Sequence, residues 1–297
     1  MVFRFIDAEK ASFDVAVMCR VLGVSRSGYY AWARRPPSER TVANAALTDE
    51  IRRVYADSDG TYGARRVHAQ LRRDGHGVNL KRVERLMRVE GIQGAYVPPR
   101  RRNSAGGVLG VDGVRVWPDL VRRDFAPAGP NELWCSDLKQ IPTGEGVLHL
   151  ASVLDCFSRR IVGWAMGAVA DAPLVADALR MAVRQRRPGE GIIVHSDRGC
   201  QFTAVTFGAA CRANGITQSN SRKGTPHDNA AKESFFASLE KERLRHRTFA
   251  THEQARSSIF QYIEEFYNRR RLHSTLGYRA PDEVERDHHQ TAAAAAA

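Results

Sequence analysis

Three acidic residues stand in settings from which carboxylates act on phosphorus. Asp137 closes Leu133-Trp134-Cys135-Ser136-Asp137, Asp197 sits in His195-Ser196-Asp197-Arg198-Gly199, and Glu233 lies in Asp228-Asn229-Ala230-Ala231-Lys232-Glu233-Ser234-Phe235-Phe236. Fifty-nine residues separate the aspartates, and thirty-five separate Asp197 from Glu233. Each aspartate ends or follows a short apolar run, while the glutamate opens a helix-like stretch. Two strand tips and one helix face can therefore converge. Three carboxylates at one point repel one another unless divalent cations neutralise them, and a pair of such ions suits in-line displacement at phosphorus. Asp137, Asp197 and Glu233 are thus the candidate catalytic and metal-holding set. The expected cofactor is Mg²⁺, two ions per site, with Mn²⁺ able to substitute. The chain reads as an enzyme acting on a phosphodiester.

The elements that must position these groups are legible from about residue 125 onward. Leu133–Gln140, Val147–Cys156 and Ile161–Val169 have the apolar content of three successive strands. The first two are joined by the turn-like Thr143-Gly144-Glu145-Gly146. A helix near Leu174–Arg186, a strand Ile192–His195, a helix near Phe202–Asn214 and a short strand Ile216–Gln218 follow. Three hairpin-linked strands followed by alternating helices and strands predict a mixed sheet with flanking helices. Asp197 falls just past a buried strand end, where open α/β sheets place their sites. Asp228 or Asn229 is expected to cap the helix carrying Glu233. A salt bridge to Arg159 or Arg160 is the expectation for Asp155. Tyr262, Ile263, Phe266 and Tyr267 fall at helical spacing and are expected to pack on the core.

The net charge of +12 is uneven. Through Asp124 there are 23 Lys and Arg against 14 Asp and Glu, and from Phe125 onward 22 against 19. A basic front half before a nearly balanced rear half suggests a polyanion-binding region ahead of a catalytic one. Residues 11–34 predict two short helices about a turn at Gly23, with Ser25 capping the second, which is helix-turn-helix logic. Arg26 and Tyr29 are its candidate DNA contacts. Helices predicted over Leu47–Tyr55, Gly63–Arg73 and Leu80–Val89 carry a dense basic set from which Arg65, Arg66, Lys81 and Arg82 are the candidate phosphate contacts. In the rear half the candidates are Arg198, Arg222, Lys223, Lys241, Arg270 and His273. The expected organisation is a helical region over 1–97, a basic and Gly-rich linker over 98–124, a catalytic core with a helical extension over 125–290, and a disordered alanine tail over 291–297.

No run of about 18 apolar residues occurs, so no membrane span is expected, and no signal-peptide pattern opens the chain. Cys19, Cys135, Cys156, Cys200 and Cys211 lack paired C-x-x-C spacing, which disfavours a disulfide framework or a cysteine zinc site and fits a reducing cytoplasm.

Further blocks carry a resemblance. Tyr267-Asn268-Arg269-Arg270-Arg271-Leu272-His273-Ser274-Thr275-Leu276-Gly277-Tyr278 with Pro281, Tyr62-Gly63-Ala64-Arg65-Arg66-Val67-His68 and Gly23-Val24-Ser25-Arg26-Ser27-Gly28-Tyr29-Tyr30 join the three acidic frames. Together they resemble the Asp-Asp-Glu transposases and retroviral-type integrases, and within them the OrfB-type transposases of the insertion sequence three family. The resemblance implies a ribonuclease H-like integrase catalytic core, in the α/β class, preceded by a small all-helical helix-turn-helix region. It places Asp137 on the first, central strand. It implies joining of element ends and insertion of a circular intermediate, with terminal inverted repeats and target DNA as partners. A homo-oligomer on DNA, an upstream-frame helix-turn-helix partner or fusion, and a cytoplasmic, nucleoid-associated location follow from it as well. Relatives commonly carry Lys or Arg seven residues beyond the glutamate; here that residue is Glu240, with Lys241 beside it. The competing readings are a decayed copy that binds and represses, and a ribonuclease H-type metal-dependent nuclease.

Overall fold

The computed structural model describes residues 2–95, 116–221 and 230–296, with the side chains of 230–233 and 296 outside the described set. Three short helices open the chain: α1 (Val2–Glu9), α2 (Val15–Val21) and α3 (Arg26–Ala33). Asp14 caps α2 by accepting from Ala16 N–H and Val17 N–H, and Ser25 caps α3 by accepting from Gly28 N–H. Gly23 makes the turn between them at φ +66°, a conformation that favours glycine. The expected two-helix unit is present, and α1 adds a third wall. Its Ile6 packs with Met18, Cys19 and Tyr29 in a small core of their own.

A second helical unit comprises α4 (Glu39–Asp57), α5 (Ala64–Arg73) and α6 (Leu80–Val89). Helix α4 starts eight residues earlier than the apolar pattern predicts, because its first turns are almost wholly exposed and leave no hydrophobic period to read. Ile51, Val54, Val67, Leu71, Val83 and Met87 form its core, which runs on into one face of the sheet behind it.

That sheet holds β1 (Leu133–Thr143), β2 (Gly146–Asp155), β3 (Ile161–Gly167), β4 (Ile193–Ser196) and β5 (Thr217–Asn220) in the order β3-β2-β1-β4-β5. The first three pair antiparallel, while β4 and β5 run parallel to β1. β1 is thus the central strand, and both its faces are covered. Trp134, Val153, Val162 and Val194 point toward α7 (Ala172–Arg186) and α9 (Val205–Ala213), with the single-turn α8 (Cys200–Thr203) between β4 and α9. Gly163 lets α7 lie directly on β3: a Cβ there would stand 2.3 Å from Ala178 O and 2.6 Å from Ala182 N. Leu133, Cys135, Ile141, Leu148 and Leu150 point the other way. They meet α10 (Ala230–Leu239), α11 (His252–Phe260) and two π-helical turns, Glu240–Leu244 and Gln261–Tyr267. Tyr262, Ile263, Phe266 and Tyr267 are buried as their spacing predicts.

Helix α12 (Pro281–Ala296) includes the terminal alanines as far as Ala296. The expected disordered tail is helical there because alanine has the strongest intrinsic helix propensity and simply prolongs a helix already nucleated. The predicted linker is described only from residue 116, where Trp117 N–H and Leu120 N–H donate to Asn220 and Ser219 beside β5.

Candidate active site

The parallel pairing of β1 with β4 brings together the two segments that lead into the aspartates. Leu133 pairs with Ile193, Trp134 with Val194 and Cys135 with His195, a constant offset of sixty residues. Asp137 and Asp197 each follow the last of these pairs by two residues, Asp137 within β1 and Asp197 one residue past β4, and alternation puts Asp137 on one face of the sheet. The face is the one carrying Leu133, Cys135 and Ile141, against which α10 packs through Phe235 and Leu239. Glu233 occupies the first turn of α10.

The two aspartates are held differently. Asp137 lies inside the strand opposite Ser152 and is half-buried, its Oδ1 accepting from Leu138 N–H at 2.8 Å. Asp197 is exposed, one residue beyond β4, and its Oδ1 accepts from Gly199 N–H at 2.9 Å. Asn220 donates to its backbone carbonyl at 2.9 Å and to Ser196 Oγ at 3.0 Å, so β5 steadies the loop. His195 is 1% exposed; its Nδ1 lies 3.0 Å from Ser219 Oγ, its Nε2 3.3 Å from Ser221 Oγ, and its ring meets Phe125 edge to face. The imidazole therefore props the strand end. Among the described residues no group of three or more His, Cys, Asp and Glu is placed to hold a metal ion.

Asp155 is fully buried at the far end of β2. It accepts from the amides of Asn131, Phe157 and Ser158 and closes a turn, in place of the expected bridge to Arg159 or Arg160. Burial raises its pKa against those amide bonds. Arg160 pairs with Asp282 instead. Cys135 and Cys156, unrelated by spacing, bring their buried thiols to 3.2 Å.

Seven residues beyond Glu233, Glu240 shares its side of the helix. Its carboxylate pairs with Lys139 Nζ at 2.9 Å, so the position where a base is usual is neutralised by a lysine from β1. Lys139 was not among the sequence candidates, although the period-two rule puts it on the face of Asp137.

The candidate DNA contacts divide. Arg26, Arg65 and Lys81 are exposed on α3, α5 and α6. Arg82 donates to Asn44 Oδ1 at 3.0 Å and lines a groove with Lys81, Arg85, Asn79 and Arg40. Arg40 comes from the start of α4, and only tertiary packing brings it there. Lys241 is half-buried in the π-helical turn, and Arg198 donates to Ser221 O at 2.7 Å from an exposed position. Arg222 and Lys223 lie outside the described residues, as do Asp228 and Asn229.

Three candidates are turned inward. Tyr29 is 3% exposed and its hydroxyl donates to Asp7 Oδ1, so it builds the α1–α3 core and offers no ring to a groove. Arg66 spends its guanidinium on Leu272 O and Glu242. His273 is buried beside Arg271, and burial, reinforced by that charge, drives its pKa down to about 2. A neutral, enclosed imidazole cannot serve a phosphate. Arg270 stays exposed while donating to Asp57 O at the junction of the helical unit with the core.

Strand order and parallel β1–β4 pairing define an α/β core of the integrase, ribonuclease H-like class behind a helix-turn-helix-like unit. In keeping with this, the sequence matches the integrase core domain over residues 127–226 and again over 214–281, and an HTH-like domain over residues 43–102. An uncharacterised 31 kDa protein of insertion element IS600 from Shigella sonnei is 39% identical over 93% of this chain and the whole of its own length. The transposase of IS904 from Lactococcus lactis is 37% identical over 85% of this chain and 98% of its own. The transposase InsF of IS3A from Escherichia coli is 36% identical over 96% of this chain and 98% of its own. The chain belongs to the insertion sequence three family of transposases.

Proposed function

We propose that this chain is a DNA transposase that cleaves and joins DNA strands at a divalent-metal site formed by Asp137, Asp197 and Glu233. The observation that supports the reading is the β1–β4 register, whose last pair, Cys135 with His195, precedes each aspartate by two residues, with α10 packed on that face of β1. An all-oxygen donor set of this kind fits Mg²⁺, with Mn²⁺ as substitute. When bound, two such ions activate the attacking oxygen and stabilise the leaving 3′ oxygen.

The chain's own groups supply the geometry. Gly199 N–H fixes the Asp197 carboxylate, Asn220 and the His195–Ser219 pair fix the strand end beneath it, and the hydrophobic seat of Phe235 and Leu239 fixes α10. Attack by water nicks a strand, whereas attack by a DNA 3′-hydroxyl transfers it; displacement at phosphorus has the same line in both. Arg26, Arg65, Lys81 and Arg82, extended by Arg40 and Arg85 in the α4–α6 groove, contact phosphates and orient the duplex without selecting sequence. Terminal inverted repeats and target DNA are the substrates. Joining two ends requires an oligomer, and an upstream-frame helix-turn-helix partner completes end recognition.

The test is a nicking and strand-joining assay on labelled duplexes carrying the element's ends, with Mg²⁺ or Mn²⁺, comparing wild type with Asp197→Asn. Joined product from wild type alone supports the reading. Metal-dependent nicking without joining, in the presence of the upstream partner, points to a nuclease. Binding without cleavage by either protein points to a decayed copy.

A further inference from the structure

The back of the helix that carries Glu233 is tied into a buried ionic cluster. Helix α10 runs without a break into the π-helical turn Glu240–Leu244, and Glu242 in that turn has a side chain only 5% exposed. Its carboxylate accepts from Arg271 Nε and Nη2, both at 2.7 Å, and from the Tyr262 hydroxyl at 2.8 Å. Arg66 of α5 reaches the same carboxylate at 3.4 Å. Arg271, itself 5% exposed, donates from Nη2 to Ser238 Oγ at 2.9 Å, one turn earlier on α10. Burial alone would lower the Arg271 pKa, but the Glu242 carboxylate outweighs it and keeps the guanidinium charged.

The placement is directional. At about 100° per residue, Ser238 lies roughly 140° around α10 from position 233, and Glu242 follows in the π-helical turn. One guanidinium thus holds both α10 and the turn that follows it, while Glu240 holds Lys139 of β1. Glu242 and Tyr262 both sit in π-helical turns, and these turns meet at their hydrogen bond. Such turns recur at functional sites. A buried ion cluster is a poor source of stability compared with apolar packing of equal volume, and its best-attested use is fixing register.

We infer that Arg271, through Ser238 and Glu242, is a positioning residue that sets the rotation of α10 and thereby the approach of Glu233 to Asp137 and Asp197. The inference rests on the metal-site reading above. The leverage is large: a carboxylate about 5–6 Å from the helix axis moves about 1 Å for a 10° rotation, a misplacement that costs on the order of 100-fold in rate. Arg66 joins the same anchor, so the helical unit and α10 share one fixed point.

Two variants of the full-length protein test this. Arg271→Lys keeps the charge but loses the planar fork, and Ser238→Ala removes only the bond to α10. Mn²⁺ binding without DNA is followed by the electron paramagnetic resonance of free Mn²⁺, alongside hydrogen exchange of the metal-free protein and DNA-end binding in EDTA. We expect Mn²⁺ affinity to fall at least 10-fold in Arg271→Lys and several-fold in Ser238→Ala. Amides of α10 should exchange at least 10-fold faster in Arg271→Lys, while β1 and β4 keep their protection and end binding stays within twofold. Unchanged α10 exchange in both variants overturns the inference, as does a parallel loss of protection in the sheet. If wild type binds Mn²⁺ no better than Asp197→Asn, the metal-site reading fails instead, and α10 exchange still decides whether Arg271 holds the helix.

Discussion

Replacing Asp197 by Asn should stabilise the metal-free protein while disabling it. On the metal-site reading, a strand spacing of about 4.8 Å carried on from the β1–β4 pairs would put the Asp137 and Asp197 carboxylates about 5 Å apart. Two like charges at that distance repel by about 0.8 kcal/mol in a water-like dielectric and about 3 kcal/mol at an effective dielectric of 20. Asp197 is exposed, so the lower part of that range applies, about 1 kcal/mol at low salt. Asparagine preserves the acceptor for Gly199 N–H, so the local hydrogen bond survives. In EDTA the variant should melt about 2 °C above wild type, given the size of the protein. Saturating Mg²⁺ should reverse the order. A ligand present at about 100 times its Kd adds about 2.7 kcal/mol, and only wild type gains it in full. Strand cleavage by the variant should fall by more than about 1000-fold, the equivalent of about 4 kcal/mol in the barrier. Thermal melts in EDTA and in Mg²⁺, with the nicking assay on the same samples, make the check. Equal metal shifts in both proteins, or a variant less stable than wild type in EDTA, would refute the paired-carboxylate geometry.

Three other outcomes follow from the structure. Arg65→Ala and Lys81→Ala should each weaken DNA binding evenly across sequences and reduce the salt slope by about 1, whereas Tyr29→Phe should leave binding within twofold; anisotropy over a salt series distinguishes them. His273 has a folded pKa near 2, below its ordinary value of 6.5, so the unfolded chain takes up a proton first as pH falls. Its contribution is therefore complete above about 6.5 and is lost toward acid at up to about 1.4 kcal/mol per pH unit, so His273→Gln should flatten the urea-unfolding pH profile between 6.5 and 4.5. Gly163→Ala forces a methyl against the backbone of α7 and should cost at least about 1–3 kcal/mol, read as a fall of several degrees in melting temperature.

Sequence alone marked the acidic frames, most of the strands and the helices with an apolar period, because those signals are local: alternation, caps and turn residues lie within a few positions of one another. Leu80–Val89 matched its prediction residue for residue. What it missed were the exposed start of α4, which has no such period, and α1, which is amphipathic but only eight residues long. The fate of the basic residues was not local at all. Arg65 and Arg66 are neighbours with the same chemistry, yet one faces solvent and the other closes an ionic cluster with a glutamate 176 residues away. Tyr29 and His273 read as candidate DNA contacts until packing enclosed them, and Arg40 joined Lys81 and Arg82 only when α4 packed beside α6. A charge pattern records which groups can meet a phosphate. Which of them remain free to do so is settled by burial and by competing partners, and these exist only once distant segments have come together.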